Sequence, residues 1–325
     1  MQISLYVKRK QRPRAAASAL VLTPRRGLRL LCLSLDSRFA GFDRPLHAAR
    51  RNLHITTLRA SGLPPRARVK LAAMVLLRSI VFNILFYANM TALALLGLPT
   101  LAFGRRAVQG LARLWARSSL RLLDLVCGLK VEFRGLDNLP AEGCVIAAKH
   151  QSALETFALT TQLGDFTFVL KRELMSIPFF GWYLKGADQI AIERARRGQA
   201  LADMSRAVGA ALSEGRQVLI FPEGTRTAPG AAPAYKAGVA HLYAESGAAC
   251  VPVALNTGLF WPRRGLIRRP GVAVIEFLPP IPAGLGKQTF MAQLQARVEQ
   301  ASNSLADEAL KADPALAETL VAGSP

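Results

Sequence analysis

The stretch over residues 143–159, GCVIAAKHQSALETFAL, joins an apolar run to a segment whose apolar residues have helical spacing. The run over 143–148 is short and uncharged, which is typical of a strand buried on both faces. The spacing over 152–162 predicts a helix. A buried strand that passes directly into a helix is typical of a layered α/β domain.

The same alternation continues on both sides of this stretch. Strands are predicted over 130–133, 166–170, 189–192, 218–221, 251–255 and 272–277. Helices are predicted over 199–213, 236–246 and 289–310. We therefore predict an α/β fold, a layered αβα domain over 129–312 with a mostly parallel mixed sheet, followed by a tail over 313–325.

Composition and charge exclude some classes of protein and favour certain partners. Hydrophobic residues make up 51% of the 325, which excludes a disordered or collagen-like chain. The formal net charge of +21 favours a polyanionic partner, either nucleic acid or anionic lipid. Residues 1–73 hold 16 of the 42 Lys and Arg but only two of the 21 Asp and Glu. Because the remainder is only mildly basic, nucleic acid is not an expected partner of the main body.

The basic segment over 1–73 shows no sustained periodicity and has three interpretations. Its acid-poor, Arg-containing composition is compatible with a transit peptide. It is also compatible with a disordered basic tail. The third interpretation, which we favour, is that translation starts at Met74, where the first coherent structural pattern begins.

No charged residue occurs between Ser79 and Gly104, and arginines bracket this run on both sides. The run exceeds the ~20 apolar residues that cross a bilayer. It predicts membrane-anchoring helices over 74–128, either spanning the membrane or dipping into one leaflet. A buried core helix is the alternative.

Residues 105–126 have the pattern of an amphipathic helix, with Arg113, Arg117 and Arg121 recurring every four residues. Such a helix can lie at a membrane surface with its guanidinium groups near lipid phosphates. An ordinary solvated face of a packed helix explains the pattern equally well.

The four cysteines lie far apart and form no C-x-x-C pair: Cys32, Cys127, Cys144 and Cys250. No Cys/His cluster is present in the sequence, so neither a zinc site nor a disulfide framework is expected. Two buried and two incidental thiols, in a main body facing the reducing cytosol, are the expected arrangement.

His150 is the histidine best placed for chemistry, since it follows a predicted buried strand and precedes a helix. A histidine there can act as a base near neutral pH. Glu155, five residues on, has two possible roles. It can complete a capping box with Ser152, or it can orient the imidazole as in a His–carboxylate pair.

A second group of polar residues follows the predicted strand over 218–221, in the sequence FPEGTR at 221–226. A turn at a strand end would bring Glu223, Thr225 and Arg226 into one small loop. Arg226 can bind a phosphate through two parallel hydrogen bonds. A surface turn with an incidental ion pair is the alternative.

Together, these motifs resemble the lysophosphatidic acid acyltransferases of the glycerolipid acyltransferase superfamily, over roughly residues 74–285. Four blocks match the family's motifs in order: HQSALE at 150–155, the Gly-containing block ending in Arg at 178–194, FPEGTR at 221–226, and VPV at 251–253. One departure is that Glu155 stands where the family usually has Asp. The carboxylate then lies one methylene further out, which leaves the geometry of the pair open.

The resemblance implies transfer of a fatty acyl group from acyl-CoA or acyl carrier protein to the sn-2 hydroxyl of 1-acyl-glycerol-3-phosphate, giving phosphatidic acid. His150 would be the base, and Glu155 would orient it. The expected substrate-binding residues are those of two motifs: Arg194, Glu223, Gly224, Thr225 and Arg226. Lys149 and Lys171 are further cation candidates, although solvated surface lysines are the simpler expectation. No metal or prosthetic group is implied.

The expected partners are a lipid bilayer, a lysophospholipid and an acyl thioester, with the catalytic domain facing the cytoplasm. The loop over 261–269, WPRRGLIRR, is expected either to enter an anionic interface or to be a solvated basic loop. One alternative function is acylation of another lyso-lipid or of glycerol-3-phosphate. The alternative from another class is a non-catalytic basic protein that binds membrane or nucleic acid.

Overall fold

The computed structural model describes residues 64–141, 143–193 and 197–321. Most of the basic segment over 1–73, with His47, His54 and Cys32, therefore lies outside the described residues. Arg194 and the last four residues of the predicted tail lie outside them as well.

Two long helices precede the sheet. Helix α1 spans Pro65–Leu96, a 3₁₀ turn covers Leu98–Ala102, and helix α2 spans Arg105–Cys127. Pro65 occupies the first helical position, where its missing N–H costs no hydrogen bond. The helix thus begins nine residues before Met74, and residue 74 is not an element boundary.

Glycine allows the close turn between α1 and α2. A Cβ atom on Gly97 would lie 2.2 Å from a side-chain carbon of Leu111 and 2.6 Å from the carbonyl oxygen of Leu93. Only a residue without a side chain lets α2 fold back against α1 at this point.

Seven strands form one sheet: β1 (Leu129–Arg134), β2 (Val145–Ala148), β3 (Phe166–Lys171), β4 (Ile190–Ile192), β5 (Gln217–Ile220), β6 (Cys250–Leu255) and β7 (Gly271–Phe277). Their order in the sheet is β1-β7-β6-β2-β5-β3-β4. Every neighbouring pair is parallel except β6 and β7. The predicted α/β fold with a mostly parallel mixed sheet is confirmed.

The remaining helices are α3 (Leu154–Ala158), α4 (Phe180–Gly186), α5 (Arg197–Ser213), α6 (Gly238–Ser246), α7 (Thr257–Phe260), α8 (Lys287–Ala312) and α9 (Ala317–Val321). Successive residues of β2 pack on opposite faces of the sheet, as a strand's period of two requires. Val145 packs with Val208 of α5 and Leu294 of α8. Ile146 packs with Leu159 and Leu219 in a separate cluster.

Helix α1 is long and apolar enough to cross a membrane, with a mean hydropathy of 2.0 in its most apolar window. Only 17% of that window is buried, which contradicts the buried core helix considered as the alternative.

The three arginines of α2 that recur every four residues do not share one solvated face. Arg113 is packed against the domain, where its guanidinium lies 5.4 Å from the centre of the Phe166 ring and bonds the carbonyl oxygens of Leu163 and Gly164. Arg117 and Arg121 are exposed. The predicted stripe therefore holds for two of the three arginines.

Candidate active site

The polar residues of the site follow the ends of three adjacent parallel strands. Strand β2 lies between β5 and β6 in the sheet and pairs with both in parallel. The carboxyl ends of these strands therefore meet at one edge, which is where α/β sheets bind ligands. Lys149 and His150 follow β2, residues 221–226 follow β5, and Asn256 and Thr257 follow β6.

The imidazole of His150 pairs with the carboxylate of Glu155. The Nδ1 atom lies 2.9 Å from Oε1, and Glu155 is fully buried. The His150 side chain keeps 17% of its surface exposed. Its Nε2 atom makes no hydrogen bond to any residue in the described ranges, so this nitrogen is open to a substrate.

The carboxylate of Glu155 makes contacts that belong to both of the roles considered for it. Its Oε1 atom accepts hydrogen bonds from the main-chain N–H groups of Gln151 (2.8 Å) and Ser152 (2.6 Å) while contacting His150. The capping box is incomplete in the other direction, because the Ser152 hydroxyl accepts from Leu154 N–H and not from Glu155 N–H. The extra methylene of glutamate does not prevent contact with the imidazole.

Thr257 completes the surroundings of the Glu155 carboxylate. Its hydroxyl donates a 2.7 Å hydrogen bond to Oε2, across 102 residues of sequence. Thr257 is fully buried. Both oxygens of a buried carboxylate are thus hydrogen-bonded, which offsets the cost of placing its charge inside the protein.

Glu223 connects the two predicted motifs, HQSALE at 150–155 and FPEGTR at 221–226. Its Oε2 accepts the His150 main-chain N–H at 2.7 Å, and its Oε1 accepts from the Thr227 hydroxyl at 2.8 Å. Only 1% of Glu223 is exposed. The sequence predicts Glu223 as a substrate-binding residue, and this stays a prediction; the contacts show that its carboxylate is bonded within the protein.

Lys149 is buried, in contrast to the solvated surface lysine expected from the sequence. Its ammonium bonds Glu223 at 3.2 Å and Glu299 of α8 at 2.6 Å. The Tyr235 hydroxyl donates to the same Glu299 at 3.0 Å. Burial, together with the charges of Glu299 and Glu223, raises the pKa of Tyr235, so this hydroxyl stays protonated and remains a donor. Lys171, in contrast, is exposed.

Comparisons with known proteins identify the family of this chain. A family model described as Acyltransferase matches residues 130–256. A relative from Pseudomonas aeruginosa, 1-acyl-sn-glycerol-3-phosphate acyltransferase, is 35% identical over 226 residues, covering 69% of this chain and 88% of the relative. The chain belongs to the 1-acyl-sn-glycerol-3-phosphate acyltransferase family. It is therefore an acyltransferase, and the non-catalytic alternative is excluded.

Two more distant proteins extend the comparison. The human 1-acyl-sn-glycerol-3-phosphate acyltransferase alpha is 30% identical over 205 residues, covering 62% of this chain and 72% of the relative. The crystal structure of the 1-acyl-sn-glycerophosphate acyltransferase PlsC from Thermotoga maritima has a TM-score of 0.60 and covers 70% of this chain and 96% of its own. At 20% identity this second likeness establishes the fold alone.

The acyltransferase loop over 221–226 turns sharply at Gly224, whose φ of +66° favours glycine. Beyond the turn, Thr225 is exposed and Arg226 half-buried. Arg226 makes no ion pair or hydrogen bond to the residues in the described ranges, so its guanidinium is available to a ligand. Glu223 and Thr227 both bond the main chain of His150, so Gly224, Thr225 and Arg226 lie near His150, while the position of Arg194 lies outside the described residues.

Sequence reasoning missed three residues of this acyltransferase site. Phe221 stacks on the His150 ring, with centroids 4.0 Å apart and an interplanar angle of 18°. Thr257 lies two residues after a predicted strand, a position that could have marked it. Glu299 lies within a long helix and carries no local indication of its role. Within the described ranges, no group of three or more His, Cys, Asp or Glu side chains is suited to hold a metal ion.

Proposed function

We propose that this acyltransferase moves a fatty acyl group from a thioester to the sn-2 hydroxyl of 1-acyl-glycerol-3-phosphate and so forms phosphatidic acid. The observation that carries the proposal is the His150–Glu155 pair: Nε2 of the imidazole makes no hydrogen bond within the described residues, and the His150 side chain is 17% exposed. The names of the Pseudomonas and human relatives support the choice of acceptor.

In the proposed reaction, His150 Nε2 takes the proton of the acceptor hydroxyl as its oxygen attacks the thioester carbonyl carbon. The tetrahedral adduct then collapses, the carbon–sulfur bond breaks, and the imidazolium returns the proton to the thiolate. Glu155 stabilises the transient imidazolium and fixes Nδ1 as the protonated nitrogen. General-base catalysis of this kind contributes about 10²–10⁴-fold. No metal or prosthetic group takes part in this proposal.

Arg226 is the proposed ligand of the acceptor's phosphate, because it is half-buried, unpaired within the described residues and on the loop that Glu223 ties to His150. Gly224 and Thr225 would line the same subsite through the turn. Arg194 is proposed as a second phosphate ligand on the basis of the motif alone. Acyl-CoA and acyl carrier protein both present a thioester, and both remain proposed donors.

The deciding experiment is an acyl-transfer assay of the purified protein with labelled acyl-CoA or acyl carrier protein and a panel of lyso-acceptors. We expect 1-acyl-glycerol-3-phosphate to be preferred and His150→Ala to lose nearly all activity. A preference for another lyso-lipid or for glycerol-3-phosphate would reassign the acceptor. Full activity of His150→Ala would refute the proposed base.

Glu155→Asp sharpens this assay. The family pattern usually has Asp at this position, yet Glu155 in this chain bonds His150, two main-chain N–H groups and Thr257 together. A carboxylate one methylene shorter cannot keep all four contacts without movement of the backbone. We therefore expect Glu155→Asp to retain some activity and Glu155→Ala to retain less.

The proposed location is a membrane, with the catalytic domain on its cytoplasmic side. The domain contacts α1 from Ser79, which bonds Arg268, to Ala94, which bonds Tyr183. These positions are about 22 Å apart at a rise of ~1.5 Å per residue. A spanning helix would carry these domain contacts into the hydrocarbon, so we propose that α1 lies in one leaflet.

Substitutions on the exposed face of α1 test this location. Leu77 is 62% exposed and Ile84 is 64% exposed. The double variant Leu77→Ser/Ile84→Ser should float less with liposomes while its melting temperature stays near that of the unmodified protein. Unchanged flotation would argue against α1 as the anchor.

A further inference from the structure

The loop over 261–269 directly follows α7, the short helix that begins at Thr257. It contains four arginines and no acidic residue. The structure divides these arginines into groups with different surroundings. Arg263 and Arg264 are exposed and form no ion pair within the described residues, whereas Arg268 is only 6% exposed. Arg269 lies 3.6 Å from the carboxylate of Glu318 and is partly neutralised.

Arg268 fastens the loop to helix α1. Its guanidinium lies 4.0 Å from the centre of the Trp261 ring and donates a 3.1 Å hydrogen bond to Asn83 Oδ1. Its main-chain N–H donates to the Ser79 hydroxyl at 2.8 Å. These contacts fix the height of the loop along α1, at the point where the charge-free part of the helix begins.

The tip of the loop exposes apolar side chains at the same height. Leu266 is 59% exposed and Ile267 is 38% exposed. On α1, Ile80 and Ile84 adjoin the residues that hold the loop, and they are 40% and 64% exposed. Exposed apolar residues beside unpaired arginines are the composition of a surface that lies in a membrane interface.

We propose that the loop over 261–269 is a contact site for an anionic bilayer. Leu266 and Ile267 enter the interfacial region beside α1, and Arg263 and Arg264 bind lipid phosphates. Arg268 does not bind lipid, because it is buried. Its contacts set the depth of the loop. The proposal rests on the membrane location given under the proposed function. Nucleic acid would use the arginines but would leave two exposed aliphatic side chains without a role.

Amide hydrogen exchange of the full-length protein gives the first test. Exchange is compared without vesicles, with phosphatidylcholine vesicles and with vesicles that also contain phosphatidylglycerol. We expect slower exchange in peptides covering 262–269 and α1, with the loop protected most by the anionic vesicles. Protection of α1 without protection of the loop would overturn the proposal and leave the membrane location intact. Protection of neither would overturn both.

Matched variants give the second test, by vesicle co-sedimentation. Arg263→Gln/Arg264→Gln is compared with Arg206→Gln/Lys311→Gln, which removes the same charge from exposed positions on α5 and α8. Both variants keep the basic segment over 1–73, so its contribution cancels. We expect partitioning onto anionic vesicles to fall roughly tenfold for the loop variant and much less for the control. The difference should vanish in high salt.

Leu266→Ser/Ile267→Ser separates the apolar contribution from the charge. It should weaken binding to neutral and anionic vesicles alike, with an unchanged circular dichroism spectrum. Equal binding by the loop variants and the control would refute the proposal, as would a loop that is protected by oligonucleotide and not by vesicles. Neither readout uses acyl transfer, so absence of activity would refute the proposed reaction separately.

Discussion

The main-chain N–H of His150 donates a 2.7 Å hydrogen bond to the Oε2 atom of Glu223, 73 residues further along the chain. This bond connects the strand end that carries the proposed base to the loop that carries Arg226. A displacement of either segment therefore moves the other. A buried carboxylate thus ties the proposed base to the loop of the proposed phosphate ligand.

Removal of the Thr257 hydroxyl should lower the catalytic rate and should disturb the packing of the side chain little. Thr257→Val keeps the shape of the side chain but leaves Glu155 Oε2 without its donor. A hydrogen bond to a charged group contributes about 1.5–3 kcal/mol, so we expect a loss of stability of this order and a lower kcat. Thr257→Ser, which restores the donor, should recover both. A normal kcat in a destabilised Thr257→Val would show that the hydroxyl serves folding alone.

The buried contact of Lys149 with Glu299 should show strong energetic coupling. Lys149→Met leaves two carboxylates without their counter-charge, and breaking a buried pair in this way costs about 3–5 kcal/mol. Urea unfolding of Lys149→Met, Glu299→Gln and the double variant measures the coupling. We expect the double variant to be more stable than the sum of the single effects predicts. Additive effects would mean that the 2.6 Å contact contributes little.

Arg226→Gln should weaken binding of the acceptor without unfolding the protein. The guanidinium makes no ion pair within the described residues, so its removal leaves no charge unpaired. Loss of one charge-assisted contact predicts a KM for the lysophospholipid raised roughly 10–100-fold. Arg206→Gln on α5 is the control, since its side chain is exposed and its ion pair within the described residues is with Asp203 of the same helix. An unchanged KM would remove Arg226 from the phosphate subsite.

The thiols should be unreactive in the folded protein. Cys127, Cys144 and Cys250 are buried and free, one more buried thiol than expected from the sequence. Burial raises the pKa of Cys127 and Cys144 to about 11, so little thiolate is present at neutral pH. In a Cys32→Ser background, a thiol reagent should label these residues only after unfolding.

The same pKa shifts give a pH dependence with a definite sign. Above the ordinary thiol pKa, unfolded cysteines release their protons while the folded ones keep them. The free energy of unfolding should therefore fall as the pH rises from about 8.5 towards 11. Substitution of Cys144 by Ala should reduce this slope. A slope unaffected by the substitution would assign the pH dependence to other groups.

The sequence by itself determined the fold class and the residues of the proposed pair. Strand and helix periods are local properties, and His150, Glu155 and FPEGTR lie in contiguous motifs, so their approximate placement followed from the chain alone. From the sequence, helix capping and orientation of the imidazole were alternative roles for Glu155. The folded protein shows contacts of both kinds, because one oxygen reaches two main-chain N–H groups and the imidazole together.

Only the tertiary structure decided which distant groups surround this pair. Lys149 and Glu299 are 150 residues apart, and Arg268 bonds Asn83 across 185 residues. Such partners are selected by the packing of the sheet and helices, since a buried charge or polar group must find a counterpart wherever the fold places one. The periodicity and spacing of residues in the sequence do not indicate which distant groups become partners.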